Sequence, residues 1–102
     1  MSRNNNKASR YVVENRDKGP WEFEYYAVTQ EADEKNGIPE VKEKRTFLLG
    51  DPADRGRMTD DGVEVYQPRQ EIDASEWALV LEQHGAAIEN LQAADKLTVH
   101  RL

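Results

Sequence analysis

Trp21-Glu22-Phe23-Glu24-Tyr25-Tyr26-Ala27-Val28-Thr29-Gln30 alternates apolar and acidic side chains from its first residue. A period of two puts Trp21, Phe23 and Tyr25 on one face of a strand and Glu22 and Glu24 on the other, so the aromatic row is assigned to the core. The same row could stack nucleobases, but the intervening glutamates and the acidic chain around them repel phosphates, which argues against direct nucleic-acid binding. At Tyr26 and Val28 the second face also turns apolar, which predicts that the strand ends under a covering element or at a subunit contact. The segment Glu31 to Glu40 has no period and contains Asn36-Gly37, a strong hairpin signal. After it Val41-Lys42-Glu43-Lys44-Arg45-Thr46-Phe47-Leu48-Leu49 is charged near the turn and apolar only at Phe47, Leu48 and Leu49. The reading is a hairpin over about 21–49 with a buried base and a charged, projecting tip. Lys35, Asn36, Gly37 and Ile38 at that tip are candidate partner contacts. A solvated edge that resists strand-to-strand aggregation accounts for the same lysines and glutamates.

Working toward the N-terminus, Arg10-Tyr11-Val12-Val13-Glu14 is a short strand closed by a turn at Asn15 to Pro20, where Gly19 and Pro20 punctuate the chain. Met1 to Ser9 is rich in Asn and Ser with almost nothing apolar, which predicts a flexible basic arm over 1–9 attached to a single domain over 10–102. Residues 1–20 carry five basic and two acidic side chains, and the remainder carries 9 basic and 18 acidic. A basic arm on an acidic body suits contact with a neighbouring copy, through Arg3, Lys7 and Arg10.

Toward the C-terminus, Gly50 to Gly62 reads as a long loop. Its Asp51, Asp54, Asp60 and Asp61 lack the regular spacing of a calcium loop, and its glycines lack the lysine and framing of a phosphate loop. Val63-Glu64-Val65-Tyr66 is a short strand. Asp73 then reads as a helix N-cap with Glu76 as its reciprocal capping-box partner, and Ile72 is placed to staple against Trp77. Trp77, Val80, Leu81, His84, Ile88 and Leu91 recur at three and four, the stripe of an amphipathic helix over about 74–94. Gly85 interrupts it, either within one helix or as the left-handed cap between two. Leu97 to Leu102 is a terminal strand. The fold class is α+β: a small antiparallel sheet, a projecting hairpin, one helical region and a closing strand. Phe47, Leu49, Trp77, Leu81, Ile88 and Leu91 join Trp21, Phe23 and Tyr25 in the expected core.

Composition narrows function. The 102 residues hold no Cys, 33% charged and 37% apolar residues, and a formal charge of -6. Disulfides, thiolate chemistry and Cys-based zinc sites are excluded. No run approaches the about 18 apolar residues that span a bilayer, and the polar start has no signal-peptide core, so a soluble intracellular product without membrane association is expected. His84 and His100 have no third ligand at metal spacing, and Ser2, Ser9 and Ser75 lack a nucleophile-elbow context. No catalytic, metal or cofactor residue is assigned, and an enzyme is not expected.

Residues 63–99 resemble small domains encoded among the morphogenesis genes of Mu-like phages. The likeness lies in Ile72-Asp73-Ala74-Ser75-Glu76-Trp77 with Leu81 and in Ala94-Asp95-Lys96-Leu97-Thr98-Val99; the helical region here is longer and contains Gly85. The resemblance implies a structural component of a tailed-phage particle, such as a capsid decoration, minor capsid or head-tail completion protein. Its partners would be capsid, portal or tail proteins, engaged in multiple copies, first in the infected host cytoplasm and then in the virion. The acidic body carries a second reading, an inhibitor whose carboxylates imitate nucleic-acid phosphates in a host nuclease or polymerase.

Overall fold

The computed structural model describes residues 9–102, so Arg3 and Lys7 lie outside the described residues. Strand β1 (Arg10–Asn15) is the centre of a three-stranded antiparallel sheet, flanked by β6 (Arg69–Asp73) and β7 (Leu97–Arg101). Strands β2 (Trp21–Gln30) and β3 (Val41–Leu49) form the long hairpin, with Trp21 opposite Leu49 and Phe23 opposite Phe47. Between these sheets lie the two-residue strands β4 (Arg57–Met58) and β5 (Val65–Tyr66), paired with each other. Helix α1 (Ala74–Ala93) packs on both larger sheets. The structure is α+β, with the expected single sheet divided into three.

Ten buried residues form the core: Val13, Ile72 and Leu97 from the three-stranded sheet, Phe23, Tyr25, Phe47 and Leu49 from the hairpin, and Trp77, Val80 and Ile88 from the helix. In the hairpin alternation produces this directly, because β2 and β3 each contribute every second residue at their base. Trp77 meets Phe47 edge to face with ring centroids 5.9 Å apart, a favoured aromatic geometry that joins helix to hairpin. Trp21 and Leu91 are only partly buried and pack against the rim of this cluster. Leu81 falls to the side of the line through Trp77, Val80 and Ile88 and stays 38% exposed, which removes it from the expected core.

Three local expectations change. Asp73 is the N-cap residue of α1 but makes no side-chain capping bond; its carboxylate takes Arg10 instead. Glu76 likewise leaves the capping box for Arg45 and Tyr25. A charged partner from another strand outcompetes the local amide, since a charge-assisted bond is the stronger one. The helical region is broken by a kink at His84 (φ -130°, ψ 18°), one residue before Gly85, and Gly85 itself is not a left-handed cap. The left-handed residue that closes its C-terminus is Asp95 (φ 60°), just past the C-cap Ala94, where the Lys96 and Asp95 amides return to the Leu91 and Gln92 carbonyls. The expected strand from Val63 shortens to Val65–Tyr66, Val63 being 77% exposed, and β6 is an additional strand.

Asn15 is the one buried polar residue among those described. Its amide donates to the Gly19 and Gly50 carbonyls at 2.8 and 2.9 Å, and its side-chain oxygen accepts from the Asp17 amide. It therefore ties the end of β1 to the start of the hairpin and to the residue after β3. Gly50 allows that approach: a Cβ there would stand 2.8 Å from the Gln67 nitrogen and 2.7 Å from the Asp54 carboxylate. Gly50→Ala is expected to cost about 1–3 kcal/mol by overpacking, read from urea denaturation midpoints, while Gly85→Ala, which meets nothing within 4 Å, does not destabilise.

Candidate interaction surface

The hairpin leaves the body at mid-length. Phe23, Tyr25 and Ala27 are buried on the face that meets α1, whereas from Val28 round to Lys44 every residue except the half-buried Asp33 is exposed. The base buries itself because Phe47, Leu48 and Leu49 stand opposite Phe23, Glu22 and Trp21; beyond Arg45 the sequence offers nothing apolar to both faces. The tip is a small structure of its own. Asp33 and Ile38 bridge to each other, Glu34–Asn36 form one 3-10 turn, and Gly37 takes the left-handed conformation at φ 66°. Asn36-Gly37 thus closes a wider loop than a two-residue hairpin turn. Lys35, Asn36, Gly37 and Ile38 are all exposed at its end, where the sequence placed them.

Apolar side chains accompany this tip. Tyr26, Val28, Ile38 and Val41 are 51%, 43%, 41% and 43% exposed, and no described element covers them. Tyr26 is nevertheless held in place: Gln83 donates to its carbonyl and accepts from its amide, both at 2.9 Å. His84 Nε2 lies 2.6 Å from the Glu24 carbonyl, and its ring meets Phe23 edge to face. The helix thereby caps the free edge of β2 with two side chains, which protects that edge from further pairing.

A polar cluster anchors the hairpin base. Glu76 accepts from the Tyr25 hydroxyl at 2.8 Å and from Arg45 Nη1 at 2.6 Å, while Arg45 Nε also reaches Glu43 at 2.7 Å. The Arg45 guanidinium is the main cause that holds the Glu76 carboxyl below the usual carboxylate range. Burial, with the adjoining Glu76, pushes the Tyr25 hydroxyl up to about 12.

The other expected site residues are dispersed. Arg10 bridges Glu71 at 3.1 Å and Asp73 on the neighbouring strand, so its charge is engaged within the body. Ser9, the last residue of the expected arm, lies at the sheet margin, its carbonyl accepting the Ala74 amide at 2.7 Å. Three of the four aspartates of 50–62, Asp51, Asp54 and Asp61, are engaged in hydrogen bonds that shape the loop and join it to the turn at Gly19. Asp51 accepts the Gly19 and Ala53 amides, which hold its carboxyl below the usual range, and Thr59 and Val63 do the same for Asp61. Among the described residues no three His, Asp or Glu side chains are grouped to hold a metal ion, and no helix is long and apolar enough to cross a membrane. What the arrangement offers chemically is contact: an anchored arm with apolar residues at its end. Sequence reasoning missed the Glu76 cluster and the Gln83 clasp, because each joins residues more than thirty positions apart.

No protein-family model matches the chain, and no curated protein or solved structure matches it either.

Proposed function

We propose that the chain is a non-enzymatic structural protein of a tailed-phage particle, acting through protein-protein contacts as a capsid decoration, minor capsid or head-tail completion component. The observation that carries the contact role is the hairpin, whose uncovered Tyr26, Val28, Ile38 and Val41 lie on or beside a projecting tip anchored by Glu76. A small core of ten residues fits this use, since repeated contacts in an assembly add burial that one copy lacks. The resemblance of residues 63–99 supplies the particle. Its partners are capsid, portal or tail proteins in the host cytoplasm and then in the virion.

Ile38→Ser combined with Val41→Ser tests the role of the tip. Both side chains are exposed, so the denaturation midpoint is expected to stay within about 0.5 kcal/mol of the parent, while incorporation into particles drops sharply. Normal incorporation of a folded double variant would contradict the proposal.

A further inference from the structure

The two larger sheets part at Gly50. Its amide donates to the Gln67 carbonyl at 2.7 Å, and from that bond β3 runs back toward Lys42 while β6 runs on toward Asp73, with no ladder between them. The register fixes which backbone groups face the gap. Tyr26 turns its amide and carbonyl away from β3, toward Gln83, and antiparallel pairs alternate. On β3, therefore, Lys42, Lys44, Thr46 and Leu48 direct their amides and carbonyls outward. On β6 the Asn15-to-Pro68 and Ala74-to-Ser9 bonds place Gln70 and Ile72 toward β1 and leave Arg69 and Glu71 facing out. Among the described residues these outward groups have no backbone partner. Two unpaired edges thus flank one gap.

The gap holds a cleft of about 260 Å³ lined by Thr46, Leu48, Glu64, Val65, Gln70 and Glu71. Through Thr46, Leu48 and Glu64 it adjoins a second cleft of about 320 Å³ that adds Glu22, Asp60 and Asp61. A strand added along the β3 edge would meet the outward donors and acceptors of Lys42, Lys44, Thr46 and Leu48, with carboxylates along the rim. We infer that this cleft is a strand-acceptor site and that its occupant is the segment 1–8 of a second copy of the chain. Main-chain bonds supply the affinity in such an addition, and side-chain charge selects the segment.

Residues 1–8 carry Arg3 and Lys7 and no acid, which complements the carboxylates of the cleft. The chain also leaves the body in the right place. Ser9 bonds Ala74 beside Asp73, at the end of β6 remote from the Gly50 closure. The eight residues before Ser9 reach about 26 Å when extended, enough to cross to a neighbour. Because Met1 is the segment's one large apolar side chain, each contact is weak and depends on repetition in an assembly. The inference thus rests on the reading of the chain as an assembly protein.

Sedimentation of the full chain tests it with a charge swap. One variant carries Arg3→Glu and Lys7→Glu; the other carries Asp60→Lys and Glu64→Lys, two acids of the cleft rim whose side chains enter no ion pair among the described residues. The parent is expected to self-associate, each variant alone to associate roughly tenfold more weakly, and their mixture to recover, because each arm then finds a cleft of opposite charge. Thr46→Pro, whose lost amide faces the gap and not β2, is expected to abolish association while the hairpin persists by circular dichroism. Association that ignores the arm charges overturns the inference while leaving hairpin-mediated assembly standing. A parent chain that stays monomeric at all concentrations overturns it as well, and the assembly reading is then judged separately by the Ile38/Val41 variant.

Discussion

Trp77→Ala is expected to lower the unfolding free energy by about 3–5 kcal/mol, a large part of what a small domain possesses. The indole is 4% exposed, packs edge to face on Phe47, and lies in the cluster that holds both sheets to α1. Its removal leaves a cavity that a backbone fixed by three sheets cannot close. Leu81, a single turn farther along the helix and 38% exposed, provides the control: Leu81→Ala is expected to cost less than about 1 kcal/mol. Urea denaturation of the two variants checks both numbers. Equal losses would mean that the helix packs through a different face.

The second large effect is on pH dependence, through the cluster of Glu76, Arg45 and Tyr25. The Arg45 guanidinium holds the Glu76 carboxyl below its ordinary value, so the folded protein binds that proton less readily than the unfolded chain does. This contribution is present above about pH 4.5, the unfolded range, and is lost as pH falls through the depressed value. Tyr25 behaves in the opposite sense. Its hydroxyl is raised from 10.0 to about 12 by burial and by Glu76, so its contribution is complete below pH 10 and is lost as pH rises toward 12. Denaturation midpoints followed across pH should therefore fall at both ends. Glu76→Gln is expected to flatten the acid limb and to cost about 1 kcal/mol at neutrality, a modest figure because water reaches the pair. Tyr25→Phe is expected to flatten the alkaline limb. Unchanged limbs in these variants would assign the pH dependence to other groups.

The hairpin was legible because Trp21 to Tyr25 alternates without interruption and Phe47 to Leu49 supplies the matching base. Its exposed tip followed from the same pattern, since Glu31 to Lys44 offers too few apolar residues to bury. Strand β6 was not legible. Arg69-Gln70-Glu71-Ile72-Asp73 contains one buried residue, Ile72, and is a strand because β1 pairs with it. The same residues run into a spacing of Asp73 and Glu76 that fits a capping box, and only the arrival of Arg10 and Arg45 from other strands decides otherwise. Asn15 read as a turn residue, although its two carbonyl partners are brought to it by separate loops. Long-range polar partners leave no period in a sequence. The cleft between β3 and β6 is less visible still, because it consists of a ladder that does not form.

Affinity capture of the tagged full chain from producing cells, run beside the Ile38→Ser/Val41→Ser variant, addresses the central claim most directly. The account predicts that capsid, portal or tail proteins are recovered with the parent and depleted with the variant. Recovery of a nuclease or polymerase with both chains, weakened steeply by salt, would contradict it and favour the phosphate-mimicking inhibitor.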